Sequence, residues 1–304
     1  MADTLRATPS RSSADPLRQV TSGVIRWHGD ASADATDELV AEEPLEIRAQ
    51  APATDVAAGD ERAPLETIAV IMRTPGHDDE LAAGFLFSEG LIARADELVA
   101  LRPGLDADGL PSANILDAQA AAGVDLGQRM RASGYSRQFA VNSSCGVCGK
   151  NSVEAACALL PPISLADGFH VAPATLYRLP EHLREEQRVF SATGGLHGAA
   201  LFDGAGGLVA VREDVGRHNA VDKLVGRALL AHETPLGAYG LLVSGRVSFE
   251  IVLKALVARV PLIAAVSAPS SLAIDLAQAS GVTLVGFLRG ESCNVYTWPE
   301  RIRV

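Results

Sequence analysis

Cysteine is scarce and unevenly placed, with four in 304 residues. That is no disulfide framework, and it points to a reducing compartment. Long apolar runs are also missing. The most apolar stretch, residues 251–268, is interrupted by Lys254, Arg259 and Pro261, short of the roughly 20 uninterrupted residues a membrane span needs. The opening MADTLRATPSRSSADPLRQV lacks the apolar core of a secretory signal, so the expectation is a soluble, cytoplasmic protein. Positive charge is short: 26 Lys and Arg against 37 Asp and Glu give a net charge of −11. Such a chain repels polyphosphates at long range, which excludes a general coat for DNA or RNA but not a local basic pocket for one nucleotide. Neither GxGxxG nor GxxxxGK[ST] occurs, so there is no dinucleotide fingerprint and no P-loop.

What is present is an ordinary globular composition, 48% hydrophobic and 21% charged. At roughly 150 residues per domain the length suits one large or two modest domains. Residues 1–20, rich in Ser, Pro and charge, read as a disordered tail. Residues 21–142 read as a small α+β domain. In it, PLEIRAQ (44–50) alternates and LETIAVIMR (65–73) is β-branched and apolar, so the two are expected to pair as a hairpin. A helix is expected from Asp78 to Glu89, with Asp78, Asp79 and Glu80 in its first turn, Gly90 after its end, and Leu81, Phe85 and Phe87 on an apolar side. A loop is expected over 102–111 and a short strand over 114–116.

Residues 143–304 read as an α/β domain with a CxxC loop at its start. A helix is expected near 173–187. Two apolar runs, 196–202 and 208–212, are joined by DGAGG, a hairpin signal. Val221, Leu224, Val225, Ala228 and Leu229 then mark an amphipathic helix. Strict alternation follows: strand 240–244, helix 248–259, strand 262–267, helix 270–279 and strand 282–288. Right-handed crossovers at this spacing give a parallel portion of sheet, covered on both faces.

The strongest chemical motif is SSCGVCGK, residues 143–150. It lies between an apparent strand (138–142) and a helix whose first turn is expected at 152–155. A helix N-terminus and Lys150 both favour a thiolate at Cys145 or Cys148. Thiolates serve disulfide exchange, persulfide transfer and metal binding alike, and the motif alone does not choose among them. Cys157 sits where helix periodicity would bury it, and Cys293 has no neighbouring thiol.

A second cluster is VREDVGRHNAVDK, residues 211–223. Asp214 is placed to cap a helix, Gly216 keeps its first turn open, and Arg217, His218 and Asn219 occupy that turn, where free N–H groups favour an anion. His218 and Asp222, four apart, share a face and could pair. Ser244-Gly245-Arg246, the Ser270 turn and Arg289-Gly290-Glu291 all follow carboxyl ends of expected parallel strands, the edge where open α/β sheets bind ligands. Their hydroxyls, backbone N–H groups and arginines suit a phosphate-bearing ligand. His197, between glycines ahead of a strand, is a further candidate.

Six blocks in order, SSCGVCGK, TGGLHGAAL, REDVGRHNAVDKL, LLVSGRVSFEIVLKA, SAPSSLAIDLA and GFLRGESCNVYT, resemble the FdhD family, the formate dehydrogenase accessory sulfurtransferases. The resemblance runs from about residue 40 to the C-terminus. It implies a cytoplasmic homodimer with a cytidine-deaminase-like three-layer domain, in agreement with the element order above. It also implies an enzyme, a sulfurtransferase working through a cysteine persulfide. Sulfur from a cysteine desulfurase would pass to bis(molybdopterin guanine dinucleotide), the cofactor formate dehydrogenase requires, with guanosine diphosphate as a surrogate ligand. Alternatives are a cofactor-binding chaperone without sulfur transfer, and a CxxC redox or zinc protein. Carried over residue by residue, the family's loop cysteines fall on Cys145 and Cys148, Cys145 being the implied persulfide carrier. The family's guanine-dinucleotide site falls on Phe287, Leu288, Arg289, Gly290, Glu291 and Ser292. Cys293 departs from the family pattern, standing where an aromatic is expected. The implied fold raises one rival, a zinc deaminase, which needs His-x-Glu before Pro-Cys-x-x-Cys. Here the CxxC precedes every candidate histidine, no Glu stands two residues after His197, and Ser144 replaces the proline, so no metal site is expected.

Overall fold

The computed structural model describes residues 10–11, 18–50, 65–132, 153–154, 157 and 160–304. Most of the expected tail lies outside these residues, although Ser10–Arg11 (β1) pairs with Thr21 and Val20 of the strand that follows. The CxxC loop, with Cys145 and Cys148, the apparent strand 138–142 and most of the helix after it also lie outside them. Val153, Glu154 and Cys157 are helical, and Cys157 packs partly buried against the main core.

Strands β2 (Gln19–His28) and β3 (Ala31–Val40) pair antiparallel along their whole length as a hairpin turning at Gly29. Next comes a four-stranded sheet of order β5-β4-β7-β6, built from β4 (Glu43–Gln50), β5 (Leu65–Arg73), β6 (Leu98–Leu105) and β7 (Pro111–Ala120). The β4–β5 hairpin is as expected. The loop expected over 102–111 is shorter: β6 continues through Pro103 and Gly104 with an irregular register, and the turn is confined to 106–110, where Asp106 accepts from the N–H groups of Asp108 and Leu110. The short strand at 114–116 is the middle of β7.

Helix α1 (Asp78–Ser88) is buried along Leu81–Ser88, not only on one side. Arg73, 1% exposed, anchors its start by a bidentate link to Asp78 and also binds Asn114 and the Ala113 carbonyl. A short helix, α2 (Leu126–Ala132), follows.

Helices α3 (Pro173–Glu186) and α4 (Arg188–Thr193) lead into a six-stranded sheet of order β13-β12-β11-β10-β8-β9. Its strands are β8 (His197–Phe202), β9 (Leu208–Asp214), β10 (Gly240–Val243), β11 (Leu262–Ala265), β12 (Thr283–Arg289) and β13 (Ser292–Thr297). Strands β10, β11 and β12 are parallel; β8 and β13 flank them antiparallel, and β9 closes the far edge against β8. Helices α5 (Arg217–Leu230), α6 (Phe249–Val257) and α7 (Ser271–Ser280) alternate with the strands as expected. Ala200, Phe202, Leu242, Ala264 and Val285 pack on α3, while Ala199, Leu201, Leu241, Ile263 and Leu284 face α5–α7. Strand alternation thus fills both layers, as buried parallel strands require. The second layer continues through α1 to Leu45 and Ile47 of the four-stranded sheet. Glycines permit the closest approach: a Cβ on Gly84 would lie 1.9 Å from the Asp222 carbonyl oxygen, and one on Gly226 1.8 Å from that of Glu80.

Candidate functional site

Because β8 runs against β10 while β9–β12 share its direction, five chain segments meet one edge of the six-stranded sheet. They are the start of β8 with His197, the β9–α5 turn with Arg217, His218 and Asn219, the β10–α6 turn with Ser244 and Arg246, the β11–α7 turn with Ser270, and the β12–β13 turn with Phe287–Ser292. The structure therefore brings the described candidate residues to this edge, except that the Leu288 side chain turns inward and is fully buried in the layer packed on α3.

The β9–α5 turn is held from beneath. Asp214, fully buried, accepts from Gly216 N–H (2.8 Å) and Asn219 Nδ2 (2.8 Å) through one oxygen. Its other oxygen takes Thr74 N–H (3.2 Å) and Lys223 Nζ (2.7 Å). Gly216, not Asp214, occupies the N-cap position, and no side chain caps α5. Asn219 also donates to the Met72 carbonyl, so its amide staples the turn to the end of β5. The His218–Asp222 pair that helix spacing allowed is not formed. Asp222 is 2% exposed and takes both Lys254 Nζ (2.8 Å) and Ser88 Oγ (2.9 Å), a full countercharge in a dry interior that outranks helix spacing.

His218 instead reaches α6: its Nε2 lies 3.0 Å from Ser248 Oγ and 3.5 Å from Glu250. Burial lowers its pKa to about 4, helped by the neighbouring Arg217. Burial, then Arg217 and Arg246, also lowers the pKa of His197. The cations of this edge are therefore its arginines, Arg217, Arg246 and Arg289, and its two imidazoles favour the neutral form. Gly198 N–H donates to Ser244 Oγ and Ser244 N–H to the Gly198 carbonyl, both at 2.9 Å, which fixes β8 on β10. A Cβ on Gly245 would lie 3.2 Å from His197 Nδ1, so glycine lets the turn close on the ring. The Nε of Arg217 is buried without an acceptor among the described residues, a donor that an incoming oxyanion would satisfy.

Farther along the edge, Ser270 caps α7 through Ala273 N–H (3.3 Å), and its own N–H donates to Val247. Phe287 has φ 52, a left-handed conformation rare for a bulky residue, and its ring is partly exposed under the Arg289 guanidinium at 5.7 Å. Cys293 is half-buried, and burial raises its thiol pKa. Sequence reasoning missed Ser248 and Glu250 as partners of the site. Ser248 resembles a routine N-cap, and only the fold sets it beside a histidine 30 positions earlier.

These features define a mixed α/β protein with a donor-rich sheet edge. The chain belongs to the FdhD/NarQ family, which it matches over residues 40–303. It is 49% identical over 288 residues to the sulfur carrier protein FdhD of Streptomyces avermitilis, covering 92% of this chain and 94% of that one. The sulfur carrier protein FdhD of Sulfurisphaera tokodaii is 41% identical over 280 residues, covering 92% and 97% of the two chains. A crystal structure from Desulfotalea psychrophila, described as a formate dehydrogenase accessory protein, shares the fold with a TM-score of 0.68 at 24% identity. It covers 94% of this chain and 100% of that one. Among the described residues, no helix is long and apolar enough to cross a membrane.

Proposed function

We propose that this chain is a cytoplasmic, homodimeric sulfurtransferase that matures formate dehydrogenase. It would take sulfur from a cysteine desulfurase and deliver it to bis(molybdopterin guanine dinucleotide). The observation that carries this reading is kinship over most of the chain with proteins named sulfur carriers, in a sequence that keeps both CxxC thiols. The strand order, with three parallel strands between antiparallel neighbours, suits a cytidine-deaminase-like three-layer arrangement.

The Cys145 thiolate attacks the terminal sulfur of the donor persulfide, the donor thiolate leaves, and Cys145 holds the persulfide. Attack by Cys148 on the Cys145 sulfur then releases hydrosulfide and leaves a Cys145–Cys148 disulfide. The two thiolates supply the two electrons, and a cellular dithiol reopens the pair. The client cofactor fits the sheet edge on two counts. The buried Arg217 Nε has no acceptor among the described residues, and a phosphate oxygen would supply one. The partly exposed Phe287 ring, carried on a left-handed backbone and with Arg289 over it, offers a stacking face for a purine. Arg246, Ser244 and His197 complete the phosphate side.

Incubation with a desulfurase and free cysteine should add one sulfur atom to the peptide bearing Cys145, read by mass spectrometry. Cys145→Ala should lose both that adduct and client activation. A fully active formate dehydrogenase in cells carrying the variant would overturn the carrier role. Arg289→Ala should weaken guanosine diphosphate by about ten- to a hundredfold in calorimetry; unchanged affinity would move the nucleotide site elsewhere.

A further inference from the structure

Ser248 occupies the N-cap position of α6 yet caps nothing. A serine there ordinarily accepts from an N–H of the first turn, an arrangement that stabilises the helix. Here its hydroxyl is turned to His218 Nε2 at 3.0 Å, and the Glu250 carboxylate lies 3.5 Å from the same nitrogen. A local rule broken at a sheet edge marks a group placed for another purpose. The direction of the chain follows from the donor inventory. An ionised carboxylate only accepts, and this one lies 3.5 Å from the nitrogen that faces the Ser248 oxygen, so that nitrogen is the donor. His218 must then carry its proton on Nε2. Its Nδ1 is left as a lone pair with no partner among the described residues.

We propose that His218 is the specificity-determining acceptor of this edge, fixed in its Nε2–H tautomer by the positioning residues Ser248 and Glu250. Its Nδ1 would receive a ring N–H or exocyclic amine of a guanine- or pterin-type heterocycle, while Arg217 and Arg246 hold the attached phosphate. This rests on the reading that a phosphate-bearing guanine cofactor binds here. The charged surroundings suit an acceptor. Arg217 and Lys254 disfavour protonation of the ring, as does His197 in its charged form, and Glu250 alone opposes them. Burial is the largest of these effects, and with it the imidazole stays neutral across physiological pH and its lone pair stays available. A neutral acceptor among cations is what separates an N–H-bearing nucleotide from bare phosphate. Phosphate alone presents no ring N–H or amine to Nδ1.

Two measurements test this. In the free protein, 15N spectra of the imidazole should show Nε2 protonated and Nδ1 bare at pH 7. Ser248→Ala should scramble the two tautomers with little change in melting temperature, since no cap is lost. A protonated Nδ1 in the parent protein, or a pure Nε2–H tautomer surviving in Ser248→Ala, overturns the relay. Calorimetry then compares guanosine diphosphate with purine riboside diphosphate, which lacks both N–H donors, and with pyrophosphate. His218→Ala should weaken guanosine diphosphate by about three- to tenfold and leave the other two unchanged, with His218→Gln restoring part of the preference. Equal losses for all three ligands, or none, would overturn the acceptor role. Failure of the parent chain to bind guanosine diphosphate at all would overturn the nucleotide reading itself, and the assignment of His218 with it.

Discussion

The first turn of α5 and the β2–β3 arm both bring backbone close to backbone, but they are held by different means. Around α5 the partners are out of water. Gly84 and Gly226 let α1 and α5 touch, and two ion pairs sit inside the contact, Asp214–Lys223 and Asp222–Lys254. In the arm, ten residues pair with ten in unbroken register. Yet Trp27 remains 66% exposed, and the Arg26–Asp37 pair lies at the surface. A two-stranded ribbon gains little from its ladder alone. Hydrogen bonding is plentiful in both regions, so it does not set their difference. What differs is how costly each group is to leave without its partner: a charge stranded in the interior is expensive, whereas one at the surface returns to water.

The contrast is broken most severely at Lys254. Lys254→Ala leaves the Asp222 carboxylate buried with Ser88 as its remaining direct side-chain partner, and the expected loss is about 3–5 kcal/mol. Urea denaturation at pH 7 reads it; a loss below about 1 kcal/mol would mean the pair is hydrated in solution. Gly226→Ala comes next. Its new Cβ would press on the Glu80 carbonyl of α1, a rigid backbone atom, so α1 must move at a cost of about 1–3 kcal/mol. An unchanged denaturation midpoint would show that the helices are not in contact at that point.

Acid sharpens the same comparison. Burial raises the pKa of Glu80, but hydrogen bonds from Arg212 and His77 outweigh it and bring the carboxyl to about 2. A depressed carboxylate stabilises the folded chain above its unfolded value of 4.5, and that contribution disappears as the pH falls from 4.5 through about 2. Glu80→Gln should therefore cost about 2–3 kcal/mol at pH 7. The gap between parent and variant should close on acidification through that window. A gap that stays constant from pH 7 to pH 2 would show that the Glu80–Arg212 pair contributes through packing alone.

The alternating half of the fold was legible because buried parallel strands are continuous apolar runs, and their Ser-, Gly- and Pro-rich turns punctuate them sharply. Strand β11 is buried at every position, and its sequence LIAA shows it. Strand β3, ASADATDELV, has no wholly buried residue, so no period-two hydrophobic signal marked it. Strand β13, SCNVYT, hid for the same reason, buried only at Thr297. In the site, the turns were readable and their partners were not. Asp214 meets Thr74 from 140 positions earlier. Asp222 looked like the partner of His218 because helix spacing was the only visible geometry, while Lys254 lay on another helix. Ser248 carried the signature of a cap, and only its neighbour across the fold revealed a different use.

The smallest expected effect lies in the arm. Trp27 faces Ser32 across the ribbon, and with two-thirds of its surface in water it can lose its side chain without opening a cavity. Trp27→Ala should shift global stability by less than about 0.5 kcal/mol. Amide exchange should quicken along β2 and β3 but not in α5, since the ribbon opens without disturbing the core. A loss above about 2 kcal/mol would contradict this, because an exposed ring has no such energy to give up. It would mean that the indole is buried against another molecule in solution, and a melting temperature that rises with protein concentration would identify that molecule as a second copy of the chain.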